Sequence, residues 1–195
     1  MNELPKDPRK IRERIRRYER KLRLEKQSFD AYDDSAGSRY LLGPLYLVMG
    51  DLTGALKSFE WFAKEFPDDG GEPGHRLCWA LALYRSGQKE AAAQMLRKAM
   101  LLNLYLIPRL LGIEMAHLDI WYGSNWQEPD YVESIPPEYF SLWDKDALHW
   151  ASDLCRNEEF KRVEARYIEI HRELLNLSSG PRRSLLVDEA SRLQG

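Results

Sequence analysis

Two stretches of this chain repeat one another at a fixed interval. Gly43 and Ala80, Gly50 and Gly87, Ala55 and Ala92, and Phe62 and Ala99 each stand 37 residues apart. The pattern runs from Leu42-Gly43 through Tyr46, Gly50, Ala55 and Phe59 to Pro67, and returns through Trp79-Ala80, Gly87, Ala92 and Ala99. A recurrence of this length marks one supersecondary unit used twice. Each copy is too small to bury its apolar face alone, so copies must stack on one another and on neighbouring helices.

Within the first unit, residues 38–50 are mostly apolar. Residues 51–66 then place Leu52, Ala55, Leu56, Phe59, Phe62 and Ala63 at spacings of three and four, which puts them on one helical face. Gly50 ends the first helix in the left-handed region and Asp51 caps the next. Pro67 stops the second helix, and Asp68-Asp69-Gly70-Gly71 forms a loop. The second unit follows the same plan: Pro73 opens a helix that runs through Tyr84, Gly87 breaks it, and residues 88–102 form its partner. Ala55 and Ala92 fall where paired helices cross, which demands a small side chain.

These residues resemble the tetratricopeptide repeat family, whose pattern is a large apolar residue, Leu-Gly, Tyr, Gly, Ala, Phe, Ala and Pro. The first repeat supplies Leu42, Gly43, Tyr46, Gly50, Ala55, Phe59 and Pro67; the second supplies Ala80, Gly87, Ala92 and Ala99, with Leu96 at the Phe position. The resemblance covers 36–104. It implies an all-α fold, a right-handed superhelix of antiparallel helix hairpins with flanking N- and C-terminal helices. It further implies a single domain with a basic helix and linker over 1–35, the two repeats, a divergent third helix pair over 105–177 and a C-terminal helix over 178–195. In the third pair a helix is expected over 109–118, opened by Pro108, followed by a non-helical insertion over 121–143 and helices over 144–155 and 158–177. The function implied is docking of a protein or peptide partner, as an adaptor or regulatory subunit.

In such hairpins the first helices line the concave groove. The positions concerned carry Tyr40, Pro44, Leu47 and Val48 in the first repeat and Leu77, Leu81, Tyr84 and Arg85 in the second. Family members that clamp a terminal carboxylate use Lys, Arg and Asn there, so recognition of that kind is not expected. The groove is apolar: either the chain's own helices fill it, or it accepts an apolar segment from a partner. A second candidate surface is residues 121–150, where eight aromatic residues, Trp121, Trp126 and Tyr131 among them, alternate with prolines and acids. Large rings can anchor a long loop to the body or form a recognition surface.

Charge is unevenly distributed. Residues 1–27 hold eleven Lys or Arg against five Asp or Glu, a balance of +6, while the whole chain carries −2. The basic segment 7–26 reads as a helix with an apolar stripe at Ile11, Ile15, Tyr18 and Leu22, either a cap for the stack or an arm that contacts nucleic acid through Arg9, Arg12, Arg16, Arg20 and Arg23. Interspersed Glu13, Glu19 and Glu25 supply intrahelical pairs and weaken the nucleic-acid reading. Phe160, Val163, Tyr167, Ile170, Leu174 and Leu177 alternate by three and four, a stripe for pairing with the N-terminal helix or with a second copy in a homodimer.

Chemistry is not expected. His75, His117, His149 and His171 are scattered outside any metal-ligand or triad spacing, Cys78 and Cys155 lack a CxxC partner, and no phosphate-cradling glycine loop is present. No catalytic residue, metal or cofactor is therefore assigned. No apolar run approaches the ~20 residues that cross a bilayer, Met1-Asn2-Glu3-Leu4-Pro5-Lys6 lacks the apolar core of a secretory signal, and two cysteines in apolar helical patterns suit a reducing, cytoplasmic compartment.

Overall fold

The first hairpin forms where local signals place it. In a computed structural model describing residues 4–194, α1 spans Pro8–Phe29, α2 Ser38–Val48 and α3 Leu52–Glu65. Gly50 (φ +75°) closes α2, and the Asp51 carboxylate accepts from the Gly54 amide at 2.8 Å to start α3. Ala55, Phe59 and Phe62 of α3 are fully buried against α2. The second hairpin pairs α4 (Pro73–Arg85) with α5 (Lys89–Leu102) across Gly87 (φ +83°). Every residue of α4 from Pro73 to Leu83 is buried, because α2, α3, α5 and a later short helix surround it. From Leu77 to Leu83 it is apolar all round, as suits a central helix, while buried His75 and Arg76 sit in its first turn.

The flanking segments complete the stack. Asp7 caps α1 through the Arg9 amide (2.9 Å), Pro8 occupies its first turn, and Ile11, Ile15 and Leu22 are buried. The helix packs on α2 rather than on the segment 158–177 that shares its spacing. The buried Asp34 carboxylate accepts from the Ser38 and Arg39 amides, each at 2.8 Å, and fixes the entry into α2.

After α5 the structure departs from the expected helix over 109–118. The helix α6 spans only Leu106–Leu111. Gly112 (φ +68°) turns the chain, and the Ile113 amide reaches back to the Pro108 carbonyl at 2.9 Å, a helix-terminating closure. Residues 113–119 are not helical; two 3-10 turns follow at Asn125–Gln127 and Pro129–Ser134, then α7 (Pro137–Ser141).

The last three helices are α8 (Lys145–Arg156), α9 (Glu158–Leu175) and α10 (Pro181–Gln194). The stripe of α9 is consumed within the chain: Phe160, Tyr167, Ile170 and Leu174 are buried, and the helix packs against α5, α8 and α10. Arg166 holds α10 to α9 with two bonds to Glu189 (2.8 and 2.9 Å), and Gln194 donates to the Leu101 carbonyl of α5 at 3.1 Å. Among the described residues every element is helical, and no helix is long and apolar enough to cross a membrane. Met1, Asn2, Glu3 and Gly195, which belong to the flanking segments read from sequence, lie outside the described residues.

Candidate functional site

Three surfaces deserve comparison, beginning with the face of α2 and α4. Leu47 is 1% exposed and Leu77 and Leu81 are 0% exposed, so these three present no surface to a partner. Pro44 is buried inside α2. Tyr40 is buried beneath Trp126, whose ring meets it edge-on at 5.7 Å. Tyr84 stacks on Trp150 at 4.6 Å, and Arg85 donates to the Leu142 carbonyl and faces Asp144 at 3.6 Å. Of the two alternatives the sequence left open, the chain fills this face itself: α7 packs on both α2 and α4, with Tyr139 and Trp143 buried.

The aromatic segment is accordingly anchored. Trp121 exchanges bonds with His171: its amide donates to the His171 carbonyl (2.9 Å) and its carbonyl accepts from Nδ1 (2.7 Å). The Arg183 guanidinium covers its ring at 4.7 Å. The Trp126 and Glu128 carbonyls accept from buried Asn103, and the Tyr131 hydroxyl donates to Glu72 at 2.9 Å. These rings tie the insertion down.

A second surface is a cleft of about 760 Å³ between the 33–37 linker, the start of α2 and the 131–139 turns. Part of its polar lining is bonded within the protein, while the buried Tyr139 hydroxyl has no partner there. Arg39 Nε donates to Asp69 (2.8 Å), its Nη2 to the Tyr40 hydroxyl (2.7 Å), and that hydroxyl donates to Asp69 (2.7 Å). Glu72 caps α4 through the Gly74 and His75 amides, and burial pushes its carboxyl above the ordinary range. The network clasps the linker to the 68–72 loop. Among the described residues no three His, Cys, Asp or Glu side chains gather where they could hold a metal ion. His149 and Asp153, four apart on α8, form an exposed pair at 3.3 Å.

The third surface was not assigned from sequence. Where α1 crosses α2 beside α3 lies an open groove of about 540 Å³. Leu22, Leu42, Tyr46, Tyr32 and Trp61 line it, with Arg23 and Lys26 on the α1 bank and Lys57 on the α3 bank. Tyr32 meets Trp61 edge-on (5.6 Å, 89°). The Tyr46 hydroxyl donates to Glu19; burial and this carboxylate push its pKa up to about 12. Gly54 keeps the wall open, since a β-carbon there would come within 2.6 Å of the Tyr46 ring. The Ser58 Oγ is buried in the wall and has no hydrogen-bond partner in the protein.

Of the five arginines of the α1 stripe, Arg23 lines this groove, and the other four continue the stripe from it toward the N-terminus of α1. Arg9, Arg12, Arg16, Arg20 and Arg23 are exposed, and their spacing of 3, 4, 4 and 3 sets them along one shoulder of the helix. Arg9 pairs with Asp7; among the described residues the other four have no carboxylate within ion-pair reach. A sequence signal for the groove exists in α3, where Gly54, Lys57, Ser58 and Trp61 form a second stripe at helical spacing, off the buried one. Neither protein-family models, nor curated proteins, nor solved structures gave a match to this chain.

Proposed function

We propose that this chain is a protein–protein interaction module of tetratricopeptide type, a cytoplasmic adaptor or regulatory subunit that works by docking without bond chemistry. In this reading α2–α3 and α4–α5 are two consecutive repeats of a right-handed superhelix, and α6 with α8 continues it as a divergent unit. The observation that carries the docking reading is the open groove at α1, α2 and α3. The face of α2 and α4 is occupied by the chain's own aromatic segment, whereas this groove is an apolar concavity open to solvent. Surfaces of this kind, lined by aromatic and aliphatic side chains with charged banks, serve as anchor sites for partner segments.

A photo-crosslinking side chain at Gln27 or Lys57, on opposite banks, tests the reading in the cells that make the protein. One and the same protein should be captured from both positions and not from Arg172 on the far helix α9. Capture that is equal at all three positions, or absent at all, defeats the proposal. A second reading, contact with nucleic acid, draws on the exposed arginine stripe; it predicts retention on RNA or DNA that falls steeply with salt.

A further inference from the structure

We infer that the groove between α1 and α3 receives an acidic amphipathic helix of a partner protein, an inference that rests on the docking reading above. The floor sets the apolar half of the recognition. Leu22 and Leu42 are buried and close the floor, while half-buried Tyr46, Tyr32 and Trp61 supply the accessible ring surface, so the floor suits apolar side chains that recur on one face of a helix. The banks set the charged half. Arg23, Lys26 and Lys57 stand on both sides of the floor, and beyond the groove's end exposed Arg20, Arg16 and Arg12 continue the positive stripe along α1. Glu19, the acidic residue of the lining, is engaged by the Tyr46 hydroxyl. From Arg9 to Arg23 the stripe runs about 21 Å at the helical rise, the length of about four turns of a facing helix.

A nucleic acid fits these observations less well. Tyr32 and Trp61 present edges to one another rather than parallel faces on which bases could stack. The chain outside the first 27 residues is net acidic, which repels a polyanion that continues past the stripe. A short acidic helix ends where the stripe ends.

Fluorescence anisotropy with the full chain and labelled 14-residue helical peptides tests this. One peptide carries Leu and Phe at i, i+3, i+4 and i+7 flanked by Glu; its counterparts replace every Glu by Gln or by Lys. The Glu peptide should bind more tightly than either. The triple change Arg12→Glu, Arg16→Glu and Arg23→Glu should weaken it about tenfold, three rim pairs of roughly half a kcal/mol each, and should let the Lys peptide bind. Lys57→Glu, on an exposed position of the opposite bank, should weaken it without any change in the circular dichroism melt. Equal binding of the Gln or Lys peptide, no binding of the Glu peptide, or stronger binding of a ten-residue oligouridylate through the same arginines overturns the inference. In each of those cases capture at Gln27 and Lys57 still stands as a test of docking; loss of that capture removes both.

Discussion

Gly43 sits where α2 crosses α3, and a β-carbon added there would collide with the Phe59 ring. That ring cannot easily yield, because it stacks on Trp79 at 5.3 Å and lies fully buried. Gly→Ala inside a helix would otherwise gain about 1 kcal/mol from propensity, whereas overpacking of a core costs about 1–3 kcal/mol. Gly43→Ala should therefore lower the urea midpoint, and adding Phe59→Leu should restore part of the loss. A second residue links the core to pH. His75 is fully buried among Tyr40, Phe59, Phe62 and Trp79, with both ring nitrogens unbonded within the protein. Burial, with Arg76 and Arg39 nearby, depresses its pKa well below the ordinary value. Below about pH 6.5 the unfolded chain binds a proton there that the folded chain refuses, so stability falls as pH drops through that window. His171, also depressed by burial, adds in the same direction, while half-buried Glu72 and Glu164, raised by desolvation, oppose it nearer pH 4.5. The urea midpoint should be lower at pH 5.5 than at 7.5, and the difference should shrink in His75→Leu.

At the scale of elements, legibility followed the range of the contacts. Helices α2 to α5 could be read because their signals are local: Gly50 and Gly87 at the turns, Asp51 at a cap, and apolar residues three and four apart. The stretch after α5 depends instead on residues distant in sequence. Asn103, 1% exposed, donates to the carbonyls of Trp126 and Glu128 and accepts from the Tyr105 amide, and the Tyr105 hydroxyl accepts from the Leu118 amide. No spacing rule announces such bonds, and the expected helix over 109–118 ignored the stop that Gly112 provides. Removing a buried partner costs about 1–3 kcal/mol for each group left unsatisfied. In Asn103→Ala, amide exchange should accelerate across 121–136 well before it does in α2 to α5. Uniform acceleration would mean that the segment is an integral part of the core and not a separately anchored cover. Beyond the α3 stripe, the candidate groove could not be read for the same reason, since Leu22, Tyr32, Leu42 and Trp61 meet only after α1 has folded over α2. The arginine stripe on its bank was readable, because one helix carries all of it.

For the molecule as a whole, stability and docking draw on the same helix, through its buried face and through the charged shoulder beside it. The inner face of α1 buries Ile11, Ile15 and Leu22, each worth about 1.5–3 kcal/mol, and covers buried residues of α2. Together these approach the ~5–15 kcal/mol that holds a whole domain folded. A chain lacking residues 4–29 should thus lose its cooperative melt, and any loss of binding in it would say nothing about charge. The outer face behaves differently, because exposed substitutions shift stability by only about 0.5 kcal/mol each. Arg12→Glu, Arg16→Glu and Arg23→Glu together should move the melting temperature by no more than about 5 °C while weakening the acidic peptide. Salt offers an independent control. Screening shortens from about 10 Å at 0.1 M to about 3 Å at 1 M, so added salt should weaken the peptide's binding to the native stripe and should not weaken, and by relieving repulsion should raise, its residual affinity for the charge-reversed chain. A salt response that is identical in the two chains would place the charge recognition somewhere other than α1.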